Sequence, residues 1–131
     1  MLRIKVFPEI FKSKNLRESL KFALMGIVYL FIFHRNMRII FLLGILALLL
    51  GFYLKLKGIE LMILSLTVAL VFVAEVVNTT VELILDTFFD RFDPKVKVIK
   101  DISAAAVLIS AVNALAVGYI IFIRKFLSLI K

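Results

Sequence analysis

Three apolar runs, 39–54, 59–87 and 102–123, separated by short charged breaks, leave this chain one class of fold. A helix needs about 20 apolar residues to cross a hydrocarbon core about 30 Å thick, and the second and third runs reach that length while the first falls slightly short. Of the 131 residues, 63% are hydrophobic, more apolar surface than a soluble domain of this size can bury, so lipid must serve as solvent for much of it. The sequence therefore predicts a single-domain, all-α membrane protein over 1–131, with an interfacial amphipathic helix followed by three transmembrane helices.

The N-terminal stretch 1–15 is basic, with Pro8 interrupting any early helix. From 16 to 33 the pattern is helical and increasingly apolar. Its clean apolar part, between Lys21 and His34, is too short to span the core and suits a helix half sunk among lipid headgroups. His34-Arg35-Asn36-Met37-Arg38 reads as a polar interruption before the first span. The second span, 59–87, is long enough to cross the membrane and project into water, and 88–101 reads as a charged cytoplasmic loop.

Twelve of the 17 Lys and Arg residues fall in the N-terminal part and the 88–101 loop, and five fall at the Lys55–Gly58 turn and the C-terminus. This asymmetry predicts that the N-terminus and the second loop are cytoplasmic. The formal net charge of +8 is absorbed by topology and by attraction to anionic headgroups, so it does not point to nucleic acid. With no cysteine, neither a disulfide framework nor a Cys-based metal cluster is available.

Glu75, Asn78, Glu82 and Asp86 stand at i, i+3, i+7 and i+11 on the second span, and a period of 3.6 residues puts all four on one stripe. Carboxylates in or at the edge of hydrocarbon are costly unless they face a bundle interior, a cation, a metal or a substrate path. Glu82 and Asp86 could also end the helix in water. Glu75, set among Val71, Phe72, Val73, Val76 and Val77, has no such escape and is the leading candidate for chemistry.

Lys100-Asp101, ahead of the small residues Ser103 to Ala106, reads two ways. Asp101 can cap the third span and Lys100 set topology, or the pair can meet a nucleotide phosphate, ribose or metal at the cytoplasmic mouth. Small residues there would let the third span approach the acidic stripe closely, and Asn113, deeper in that span, reads as a helix-to-helix hydrogen bond. GxxxxGK[ST] and GxGxxG are both absent, so a nucleotide site here is neither a P-loop nor a Rossmann turn.

The run Glu75-Val-Val-Asn78-Thr-Thr-Val-Glu82-Leu-Ile-Leu-Asp86, followed by Val98-Ile99-Lys100-Asp101-Ile-Ser-Ala-Ala-Ala106-Val107, closely resembles the prokaryotic diacylglycerol kinase and undecaprenol kinase family. Ser19, Phe22, Ala23, Gly26 and Arg35-Asn36-Met37-Arg38 look like that family's N-terminal signature. The resemblance implies a homotrimer with active sites between subunits, using ATP and magnesium to phosphorylate the hydroxyl of a membrane lipid. It casts Glu75 as general base, Glu82 as metal ligand, and Asn78, Glu82, Asp86, Lys100 and Asp101 as the nucleotide side.

One position departs from the family pattern. His34 stands where the family places a second carboxylate ligand of the metal, and a neutral imidazole suits magnesium poorly while accepting manganese or softer ions. Two other readings therefore stay open beside the lipid kinase. One is a catalytically impaired relative that binds lipid or nucleotide without turnover, and the other is a small bundle conducting cations past Glu75 and Glu82.

Overall fold

In a computed structural model of the chain, which describes residues 15–130, every regular element is a helix. They are α1 (Leu16–Phe33), α2 (Arg35–Tyr53), α3 (Gly58–Phe88) and α4 (Pro94–Ile130). The basic stretch expected over 1–15 lies almost wholly outside the described residues. Helices α2, α3 and α4 are long and apolar enough to cross a membrane. The chain divides into two compact units, one ending at His34 and the other beginning at Arg35.

In the first unit, α1 is exposed along nearly its whole length. Leu20, Leu24, Val28 and Ile32 share a face with Arg17 and Lys21, so the helix is cationic at its start and apolar beyond. It ends because His34 adopts an extended backbone (φ −112°, ψ 107°) while its N–H still bonds Leu30 O. The polar interruption expected over 34–38 is thus a single residue. Arg35 already opens α2, since nothing in Arg-Asn-Met-Arg opposes helix.

In the second unit, α3 packs against both α2 and α4. Contact with α2 is close because Gly44 leaves room: a Cβ there would come within 2.6 Å of Val68 Cγ1. The α2–α3 turn passes through Lys55 at φ 53°, and Lys125 Nζ, near the end of α4, donates to Lys55 O at 3.0 Å. Glu60 caps the new helix by accepting from Lys57 N–H at 3.0 Å. The buried hydroxyls of Thr67 and Ser110 are satisfied inside their own helices, Thr67 donating to Ile63 O and Ser110 to Val107 O, each at 2.8 Å.

The start of α4 lies at Pro94, eight residues before the expected 102. Asp93 is the cap: its Oδ1 accepts from Lys95 N–H at 2.7 Å, and Pro94 occupies the first helical position, where a missing N–H does no harm. Asp101 is therefore not an N-terminal cap. It lies two turns inside α4 and is held 2.6 Å from Lys97 Nζ. Asn113 is exposed on α4 and has no intrachain hydrogen bond among the described residues.

Candidate functional site

The acidic stripe of α3 faces α4, and burial falls steadily along it. Glu75 is 4% exposed and Asn78 7%, whereas Glu82 is half-buried and Asp86 is exposed. Helix length adds a second gradient, one of depth. Thirty-one residues at roughly 1.5 Å each give α3 a length of about 46 Å, so its last turns clear a 30 Å core and carry Asp86 toward water.

Two bridges tie this stripe to α4. Deeper in, Ser103 Oγ donates to Asn78 Oδ1 at 2.7 Å, and Asn78 Nδ2 donates to Glu82 Oε1 at 3.1 Å. Asn78 therefore presents its carbonyl to α4 and its amino group to the carboxylate, which engages one Glu82 oxygen and fixes the direction of the other. Nearer the surface, Lys100 Nζ bonds Asp86 Oδ1 at 2.5 Å. Among the candidate residues, then, Asn78 and Glu82 are joined and Asp86 and Lys100 are joined. Glu75 sits one turn deeper on the same face, and Asp101 turns to Lys97 instead of the stripe.

Ser103 completes the α3–α4 face. Ser103 entered the sequence reading only as a small residue, and its link to Asn78 spans 25 positions that no local periodicity connects. Thr79, only 1% exposed, lies one turn beyond Glu75, and its i+4 spacing is the signal that could have marked it.

Among the described residues, no three His, Cys, Asp or Glu side chains gather at metal-binding distance. Glu82 is the one half-buried carboxylate of the stripe, and one of its oxygens is already hydrogen-bonded. Such a donor fits magnesium carried in by phosphates, since that ion keeps waters and phosphate oxygens and needs few protein carboxylates. His34 belongs to the first unit. Its ring centroid lies 5.9 Å from that of Tyr29, and its shielded Nε2 has no hydrogen-bond partner among the described residues.

Buried acid, oriented carboxylate and surface ion pair on one helix face fit phosphoryl transfer, in which proteins mostly position groups and neutralise charge. Comparison with known proteins agrees: residues 21–122 match the model of the prokaryotic diacylglycerol kinase family.

The chain belongs to the prokaryotic diacylglycerol kinase family.

It is thereby a membrane lipid kinase. A diacylglycerol kinase of Synechocystis sp. is 34% identical over 118 residues, 89% of this chain and 67% of that protein. An undecaprenol kinase of Bacillus subtilis is 37% identical over 75 residues, 57% of this chain and 61% of that protein. The alignments thus span about two thirds of the length of these relatives. The family match takes in Glu75, Asn78, Glu82, Asp86, Lys100 and Asp101, together with His34.

Proposed function

We propose that this lipid kinase transfers the γ-phosphate of ATP to the hydroxyl of diacylglycerol or undecaprenol at the cytoplasmic face of the inner membrane, acting as a homotrimer. The observation that carries the reading is the burial gradient along one face of α3, from Glu75 inside to Asp86 at the surface, where Lys100 of α4 meets it. A lipid hydroxyl and a nucleotide approach from opposite directions, one from the bilayer and one from water, and that face offers groups to each.

In this reading Glu75 accepts the proton of the lipid hydroxyl as the oxygen attacks phosphorus. Its burial excludes the water that would otherwise compete as acceptor of the phosphoryl group. Glu82 would hold the divalent ion, which when bound supplies positive charge to the phosphates. Ser103 and Asn78 fix the direction of Glu82 before any ligand arrives. Lys100 exchanges its ion pair with Asp86 for a phosphate oxygen, and Asp86 and Asp101 complete the nucleotide side. His34 favours manganese or another divalent ion over magnesium if it reaches the metal.

Kinase assays of the purified protein in mixed micelles test this directly, offering diacylglycerol and undecaprenol in parallel with magnesium or manganese. Transfer of labelled phosphate to one lipid is expected, and it names the substrate. Silence with both lipids and both metals would favour the catalytically impaired relative instead.

A further inference from the structure

Glu75 places a carboxylate at a depth where charge is expensive. It lies 17 residues, about 26 Å, along α3 from Gly58, still inside a core about 30 Å thick. A carboxylate among apolar side chains stays ionised only beside a cation, and only the ionised form can accept a proton. The cations of α4 nearest the stripe are already committed, Lys100 to Asp86 and Lys97 to Asp101. The apolar runs 39–54, 59–87 and 102–123 contain no Lys or Arg. A partner for Glu75 therefore has to come from the edge of a neighbouring span.

The register between α2 and α3 supplies one. The two helices run antiparallel through the turn at 54–57, and two contacts fix how they face each other. A Cβ at Gly44 would press on Val68, and the ring of Phe41 lies 6.2 Å from that of Phe72, centroid to centroid. Three residues back along α2 thus correspond to four onward along α3. A further step of three on each helix reaches Arg38 and Glu75, each a surface neighbour of its own phenylalanine. Neither residue is without an interaction partner in the structure. Arg38 stands in the first turn of α2, and an arginine stem lets its guanidinium reach over several ångströms of depth.

We propose that Arg38 is the positioning residue of Glu75, its guanidinium pairing with the buried carboxylate across the α2–α3 interface and holding it ionised and aimed at the lipid hydroxyl. The kinetic half of this inference rests on the reading of Glu75 as the base, and the pairing itself does not.

Thermal unfolding in detergent of the wild type, Arg38→Met, Glu75→Gln and the double variant tests the pairing without any turnover. Arg38→Met strands a buried carboxylate and is expected to lower the midpoint by about 5 °C or more. In the Glu75→Gln background the same change should move it by about 1 °C or less. Should Arg38→Met fail to fold, recovery of a folded protein on adding Glu75→Gln would show the same coupling. Equal shifts in both backgrounds, or a double variant that also fails to fold, would overturn the pairing. In kinase assays Arg38→Met should lower kcat about 10- to 100-fold with KM for lipid and for ATP within about 2-fold of wild type. Arg38→Lys, which keeps the charge, should recover most of that loss. Wild-type kcat in Arg38→Met, or a raised KM for ATP with kcat unchanged, would remove the positioning role. Full turnover in Glu75→Gln would sink the reading of the base, and the midpoints would still decide the pairing.

Discussion

Ser103 donates from Oγ to Asn78 Oδ1 across the α3–α4 interface at 2.7 Å, and Asn78 passes the order on to Glu82 through its amino group. A serine on one helix thereby sets the aim of a carboxylate on another. Without the hydroxyl, the Asn78 amide is free to flip or rotate and Glu82 loses its fixed direction. Outer partners of this kind are typically worth 10- to 100-fold in metal affinity or activity. Ser103→Ala is accordingly expected to lower kcat/KM about 10-fold or more, chiefly by raising the KM for the metal–nucleotide complex, with helix content unchanged. Ser103→Thr, which keeps the hydroxyl, should retain most of the activity. Equal kinetics in Ser103→Ala and wild type would refute the positioning role.

Lys100 and Asp86 form an ion pair whose side chains are 36% and 63% exposed, and pairs so open to water contribute on the order of 0–1 kcal/mol to stability. The proposed role of Lys100 lies with a phosphate instead. Lys100→Met should therefore leave the thermal midpoint in detergent almost unmoved while reducing turnover about 100-fold or more, as expected for a cation that neutralises transferring phosphate. A large stability loss with little kinetic effect would make the pair structural.

Gly44 has no space for a side chain, since a Cβ would press against Val68, whose branched side chain has little rotamer freedom to retreat. Gly44→Val should force α2 from α3 and destabilise the protein by about 1–3 kcal/mol. Thermal unfolding in detergent would register that loss. Gly26, where an added Cβ would meet nothing within 4 Å beyond its own helix backbone, is the control, and Gly26→Ala should leave stability unchanged or slightly raised.

These residues also show how far the sequence could be read. The stripe Glu75-Asn78-Glu82-Asp86 was legible because helical period alone aligns it, and the spans because lipid imposes length and apolarity. The start of α4 was misjudged because a proline among charges looked like a loop, although Asp93-Pro94 is the usual pairing of cap and first helical residue. That shift carried Asp101 from a cap to a mid-helix partner of Lys97. Ser103 and Asn113 were beyond local reading for one reason. Whether a polar side chain on α4 meets α3 or faces outward depends on the register between helices, which is decided by packing across the interface.

Glu75 offers the sharpest test of mechanism. Its carboxylate is 4% exposed on a membrane-spanning helix, a costly placement that marks a residue kept for function. Glu75→Gln keeps size and hydrogen-bonding capacity and removes only the ability to accept a proton. If Glu75 takes the proton of the lipid hydroxyl, this variant should lose about 100- to 10,000-fold in kcat while binding nucleotide as the wild type does and migrating as the same oligomer. Because size and shape are kept, thermal stability should stay close to that of the wild type. A folded, nucleotide-binding and inactive protein is the signature of a catalytic base, whereas undiminished turnover would assign the proton to another group and leave Glu75 without its proposed role.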